Sequence, residues 1–193
     1  MPHQDPPRFT YHPRAYEADM DVIQRLDLAC ECCGQTPGWI YSGTVYSVHG
    51  VDNVCPWCIA DGSAHRKWNA SFCQDIEADS NPDARHGSAY GVAPEVVDEV
   101  MHRTPGYTSW QGAIWRTHCG DVCEFHGDIS AEELSTLTPA SEALFRADFP
   151  WLAEDEPSLA EFVERRYAPK GDLSIYKFVC RHCGIVRLHA DMS

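Results

Sequence analysis

Two Cys-x-x-Cys pairs, Cys30-Glu31-Cys32-Cys33-Gly34 and Cys55-Pro56-Trp57-Cys58, stand 21 residues apart, and Cys180-Arg181-His182-Cys183-Gly184 repeats the first pattern much later. A Cys-x-x-Cys loop turns two thiolates inward from one tight bend, and a following glycine takes up the left-handed backbone that frees amides to face sulfur. Two such loops complete one tetrahedral zinc site. The first site is therefore predicted from Cys30, Cys33, Cys55 and Cys58, with Gly34 favouring Cys30 and Cys33 over the third thiol, Cys32. For a second site, Cys180 and Cys183 need two more ligands. Cys119 and Cys123 supply them at a spacing suited to one helical face, with His118 and His126 as alternative donors.

Ten cysteines can also mean a secreted disulfide framework. Met1 to Tyr16 argues against it, because this stretch carries Pro2, Pro6, Pro7 and Pro13 and no apolar run of the kind a signal peptide or anchor needs. Nor does any other segment approach the roughly 20 apolar residues of a membrane-spanning helix. A soluble cytoplasmic protein with zinc-held thiols is the expectation. A redox dithiol is the competing reading of any single pair, but several clusters without a clear βαβ pattern disfavour it. Isolated Cys73 reads as a small buried hydrophobe.

The intervening segments predict an α+β fold: small zinc-ribbon-like β-hairpins with short helices, stapled by two four-cysteine zinc sites. Gly38 to Val48 (GWIYSGTVYSV) reads as a strand pair or a bulged strand. Asp61, Gly62 and Ser63 open a short helix to Trp68, and Pro94 to Arg103 forms another, stopped by Thr104 to Tyr107. Ser130 with Glu133 has capping-box spacing for a helix from Ala131 to Leu137, and a further helix runs from about Ser158 to Tyr167. Leu173 to Val179 and Ile185 to His189 read as strands around the last Cys-x-x-Cys turn. A chain of 193 residues suits a single domain, with sub-units 1–78 and 94–193 divided at the Asn-, Pro- and Gly-rich stretch from Asp79 to Ala93.

Four thiolates leave no open zinc position for water, so such sites stabilise a fold rather than hydrolyse a substrate. Neither an H-E-x-x-H spacing nor a phosphate-cradling glycine loop is present, and no catalytic residue is predicted. An enzyme with a histidine or water completing an open zinc site is the alternative. Charge speaks to partners. The formal charge is −14, and Asp128 to Glu164 contains ten acids against the single base Arg146. Such a field disfavours membrane surfaces and nucleic acid and favours a basic protein. At its centre Trp151, Glu154, Asp155 and Glu156 combine an aromatic anchor with carboxylates, a pairing that suits a partner-binding patch. Against this, His65, Arg66 and Lys67 form a local basic cluster, which keeps a zinc-ribbon nucleic-acid binder as a third reading.

Several segments carry a family likeness: FTYHP at Phe9 to Pro13, CECCG at Cys30 to Gly34, GWIYSGTVYS at Gly38 to Ser47 and VCPWCIADGSA at Val54 to Ala64. RTPGYTSWQ from Arg103, HCGDVCEFHGD from His118 and IYKFVCRHCG from Ile175 extend it along nearly the whole chain. In these segments the sequence resembles the CbrC-like proteins, a bacterial family of small cytoplasmic proteins associated with colicin tolerance. The resemblance implies tolerance or immunity to a DNase-type colicin or a related nuclease toxin. Such toxins are basic, in agreement with the charge reading.

Overall fold

The structure, a computed structural model, describes residues 5–78, 91–151 and 158–192. In chain order its elements are β1 (Ile23–Gln24), β2 (Ile40–Tyr41), α1 (Pro56–Ala60), α2 (Ser63–Trp68), β3 (Asp75–Ile76), α3 (Pro94–Arg103) and β4 (Ile114–Trp115). There follow β5 (Thr117–His118), β6 (Asp121–Val122), β7 (Glu124–Asp128), α4 (Ala131–Ser135), α5 (Pro139–Asp148), α6 (Leu159–Arg166), β8 (Leu173–Val179) and β9 (Val186–Met192). The fold is α+β, with small antiparallel hairpins and short helices.

The largest sheet is antiparallel in the order β7-β8-β9, and a bulge interrupts β7 between Phe125 and Asp128. Successive side chains of a strand face opposite ways, so the central strand β8 divides two cores. Ile175 joins Ile129, Leu134, Phe145, Phe162 and Leu188 beneath the helices α4 to α6. Tyr176 and Phe178 enter an aromatic core with Tyr107, Trp115 and Phe125. There Tyr107 stacks on Phe125 at 4.3 Å between centroids, while Trp115 is completely buried. A third core gathers the amino-terminal half, including Phe9, Val22, Ile40, Val54 and Ile59.

Capping chemistry sets the helix starts. Ser130 and Glu133 exchange the reciprocal bonds of a capping box, and Ser158 Oγ accepts from the Glu161 N–H at 3.3 Å. Thr138 and Pro139 start α5 in the same way, a helix the sequence reading did not include. The expected ribbon within Gly38 to Val48 is different in kind. Only Ile40–Tyr41 is a strand, and its partners are β1 and Val54 rather than its own continuation; Tyr46 bridges to Ser71. The proposed division at Asp79 to Ala93 falls largely outside the described residues.

An ionic network ties β9 to the segment that leads into the β5–β6 hairpin. Arg116 and Arg187, each 7 % exposed, share Glu77 and Asp148: Arg116 reaches Glu77 at 3.0 Å and Asp148 at 2.5 Å, and Arg187 reaches them at 3.1 and 2.9 Å. The Arg187 guanidinium also donates to the Thr117 carbonyl at 2.7 Å, while the Glu77 carboxylate accepts from the Thr117 N–H at 3.3 Å. Two buried guanidiniums and two partly exposed carboxylates thus neutralise each other and fix the base of β5.

His12 is wholly buried between the rings of Trp115 and Phe125, its Nδ1 2.9 Å from the Pro105 carbonyl. Burial pushes its pKa down to about 4. The unfolded chain takes up this proton below about pH 6.5, so the contribution is complete above that value and falls as the pH drops. Between pH 7 and pH 5, urea unfolding of the wild type is expected to lose about 2 kcal/mol more than that of His12→Gln. Equal losses would show that His12 titrates normally.

Candidate metal centres

Cys30, Cys33, Cys55 and Cys58 place their sulfurs within 4.8 Å of one another. Local backbone geometry explains why. Cys30 N–H donates to the Gln35 carbonyl at 2.7 Å and Gly34 N–H to the Cys30 carbonyl at 2.7 Å, closing a knuckle in which Gly34 takes φ +73°. Opposite it, Cys55 sits at the N-cap of α1 with Pro56 in the first turn, so Cys58 comes round onto the same side one turn later. The Cys55 N–H points at Cys30 Sγ at 3.2 Å. Glu31 stitches the two halves together, its carboxylate accepting from the backbone N–H groups of Asp52 and Asn53 at 3.2 and 3.0 Å. The Lys67 ammonium bonds the carbonyls of Glu31 and Cys32 at 2.7 and 3.1 Å, and Arg66 bonds the Asp61 carbonyl. Two members of the basic cluster on α2 thus serve the fold.

The second group consists of His118, Cys119, Cys180 and Cys183. Cys180 and Cys183 form a knuckle like the first: Cys180 N–H donates to the Ile185 carbonyl and Gly184 N–H to the Cys180 carbonyl, both at 2.9 Å, with Gly184 at φ +74°. Its partner is the β5–β6 hairpin. Thr117 pairs with Val122 and His118 with Asp121, which leaves Cys119 and Gly120 as a two-residue turn with φ +56° and +71°. Positive φ at both central residues is the signature of a type I′ hairpin turn. Asp121, 8 % exposed, clamps hairpin to knuckle by accepting from Tyr11 at 3.0 Å and pairing with Arg181 at 3.3 Å and His182 at 2.9 Å.

This arrangement corrects the expected membership of Cys123. A helix would have put Cys119 and Cys123 on one face, but the segment is a hairpin. Three strand residues carry Cys123 roughly 10 Å from the turn. There it is fully buried in the aromatic core, its carbonyl accepting from Trp115 Nε1 at 3.0 Å and its N–H bonded to Arg116. Burial raises its thiol pKa strongly. His118, the neighbour of Cys119, stands in its place. Cys32 lies outside both groups, and Cys73 is buried with its thiol on Met101 Sδ at 3.2 Å and pushed up to about 12 by burial. Trp151 is 40 % exposed against Phe149. Glu154, Asp155 and Glu156 lie outside the described residues.

The donor atoms fit a tetrahedral ion. Thiolates about 2.3 Å from such an ion stand roughly 3.8 Å apart, and an imidazole nitrogen roughly 3.5 Å from a thiolate. Cys33 and Cys55 are separated by 4.0 Å, Cys119 and Cys183 by 3.8 Å, and His118 Nδ1 lies 3.1 and 3.4 Å from Cys119 and Cys183. These separations are far beyond a disulfide bond, and all ten cysteines are free. Hydrogen bonds from Cys55 and Cys58, aided by backbone N–H groups, hold the Cys30 thiol well below its usual range, while in the second group the Ile185 N–H lowers Cys183. Replacing His118 with alanine is expected to remove one bound metal equivalent per chain, whereas Cys123→Ser leaves the content unchanged. Elemental analysis of both variants decides between the two assignments.

Fold and sites together define a small α+β protein with two knuckle-built Cys/His tetrads able to hold metal. The chain belongs to the uncharacterised protein family UPF0167, whose pattern it matches over residues 6–192. It is 40% identical to the UPF0167 protein PA1536 of Pseudomonas aeruginosa over 188 residues, 96% of either chain. To the UPF0167 protein Mb2317 of Mycobacterium bovis it is 32% identical over 191 residues, 97% of this chain and 94% of the relative. No solved structure matches the chain. Among the described residues, no helix is long and apolar enough to cross a membrane.

Proposed function

We propose that both tetrads hold structural zinc and that the protein acts in the cytoplasm by binding a basic protein partner. The observation that carries the metal half is that each tetrad supplies four protein donors, which leaves no coordination position for substrate or water. Sulfur-rich tetrahedral donors suit zinc, and two zinc ions per chain are expected by elemental analysis. A folded, metal-free preparation would overturn this reading.

The binding half rests on charge and an aromatic anchor. Asp128 to Glu164 concentrates acids, and exposed Trp151 stands beside Phe149 at its centre. Carboxylates speed the encounter with a basic surface, and a half-exposed tryptophan supplies contact area once docked. The resemblance to CbrC-like proteins points to the nuclease domain of a DNase-type colicin or a related toxin as the partner, with tolerance or immunity as the role. Capture of such a domain by the wild-type protein is expected. Neutralising Glu154, Asp155 and Glu156 together should weaken it at least tenfold, and Trp151→Ala should do the same. Unchanged capture by both variants would remove this patch as the interface. Salt-sensitive DNA or RNA binding in its place would favour the nucleic-acid reading.

A further inference from the structure

A cavity of about 300 Å³ opens between the β7 bulge, the loop after α3 and the turn before β8. None of its lining residues belongs to either tetrad. Its walls include the rings of Tyr107, Phe125 and Tyr176 and the thioether of Met20, and Trp110 stands at its mouth. Asp128 belongs to the same lining: its carboxylate accepts from the Lys170 backbone N–H, yet among the described residues its Oδ1 is buried without a hydrogen-bond partner. A buried carboxylate oxygen without a donor is costly, and it is the kind of group that a ligand N–H would satisfy.

Two further observations point to a built site. Trp110 is 69 % exposed, yet its backbone is pinned: the Asp191 carboxylate accepts from Ser109 Oγ at 2.5 Å and from the N–H groups of Trp110 and Gln111 at 2.6 and 3.2 Å. The large exposed ring is thus carried on a fixed lip rather than a loose loop. Moreover, of the four non-glycine residues with positive φ among those described, Cys119 belongs to a tetrad and Asp21 and Lys170 line this cavity, at +52° and +61°. Such backbone is costly and gathers at functional sites. At the rim the Asp19 carboxylate is paired with Arg14 at 2.7 Å and the Lys170 ammonium is directed at the Asp19 carbonyl, which leaves Asp21 and, deeper in, Asp128 as the remaining acids of the lining.

We infer that this cavity binds a small planar organic cation bearing N–H donors, such as an amidine or guanidine, with Asp128 accepting its donors and the aromatic walls stacking on its plane. Apolar walls with one aimed polar group are the usual form of a small-molecule site, and aromatic faces attract a cation.

Benzamidine is the probe, with benzamide and benzoate as its neutral and anionic counterparts, titrated onto the zinc-loaded full chain. Saturable benzamidine binding is expected, seen in tryptophan fluorescence and in the NMR shift of the Met20 methyl, with benzamide at least tenfold weaker and benzoate silent. Asp128→Asn should weaken benzamidine at least tenfold and narrow its advantage over benzamide. Trp110→Ala, at an exposed position that spares the fold, should also weaken it severalfold. No saturable binding, equal binding of benzoate, or benzamidine affinity unchanged in both variants would overturn the assignment.

Discussion

A Cys58→Ala variant will carry one metal ion in place of two and will unfold at a markedly lower temperature. Cys58 is 4 % exposed on α1, and with Cys55 at the N-cap of the same helix its sulfur completes a tetrad whose other two members, Cys30 and Cys33, come from a separate segment. Metal affinity at a structural site of this kind supplies on the order of 10 kcal/mol of folding free energy, because the site does not exist in the unfolded chain. That is comparable with the whole stability of a typical domain. Cys32 offers no rescue, since it lies on the Cys30 to Cys33 side and leaves the α1 corner empty. Chelator added to the wild type should reproduce the loss, and acid should do so as well, because cysteine thiols must lose their protons to bind metal and acid restores them. Two retained ions with an unchanged melting temperature in the variant would contradict the assignment.

Glu77→Gln is expected to cost about 3 to 5 kcal/mol, since removing one charge from the network leaves its buried partners uncompensated. Two guanidiniums, each 7 % exposed, would then depend on Asp148 alone. The effect should be regional. Glu77 also holds the Thr117 N–H, and Arg187 the Thr117 carbonyl, one residue before His118. Metal at the second tetrad should therefore pass to a competing chelator faster in the variant, while the first tetrad keeps its rate. Adding Arg187→Met to Glu77→Gln should recover part of the lost stability by removing one stranded charge. Denaturant unfolding and chelator-exchange kinetics provide the two readings, and loss of both metals at equal rates would show that the network does not act through the hairpin.

The local chemistry of the knuckles was legible because a Cys-x-x-Cys-Gly turn is specified by five adjacent residues. The capping box of Ser130 and Glu133 was readable for the same reason. His118 was weighed only as a substitute ligand, because the four-residue spacing of Cys119 and Cys123 imitates a helix. The signal that separates the two is Cys119-Gly120 itself, a dipeptide that accepts positive φ twice and so marks a hairpin turn. In Gly38 to Val48 the residues have strand character, yet their partners are Ile23, Val54 and Ser71. Pairing of that range is decided by the packing of the amino-terminal core, and no local pattern reports it. Asp128 was counted only as part of an acidic run; its place in the cavity depends on β7, a strand the sequence reading did not contain.

The two knuckles are nearly the same object, but they close loops of very different size. Cys30 and Cys55 are 25 positions apart, whereas His118 and Cys183 are 65 apart and enclose helices α4 to α6. Closing the longer loop costs more entropy and must await the intervening helices, so the order of assembly is written into the spacing. The donors of the first tetrad all lie within residues 30–58, so under the proposed function its metal is expected to be captured before the donors of the second are brought together. With both tetrads loaded as proposed, the second is expected to act as a latch, fastened last and the first to open when metal is scarce.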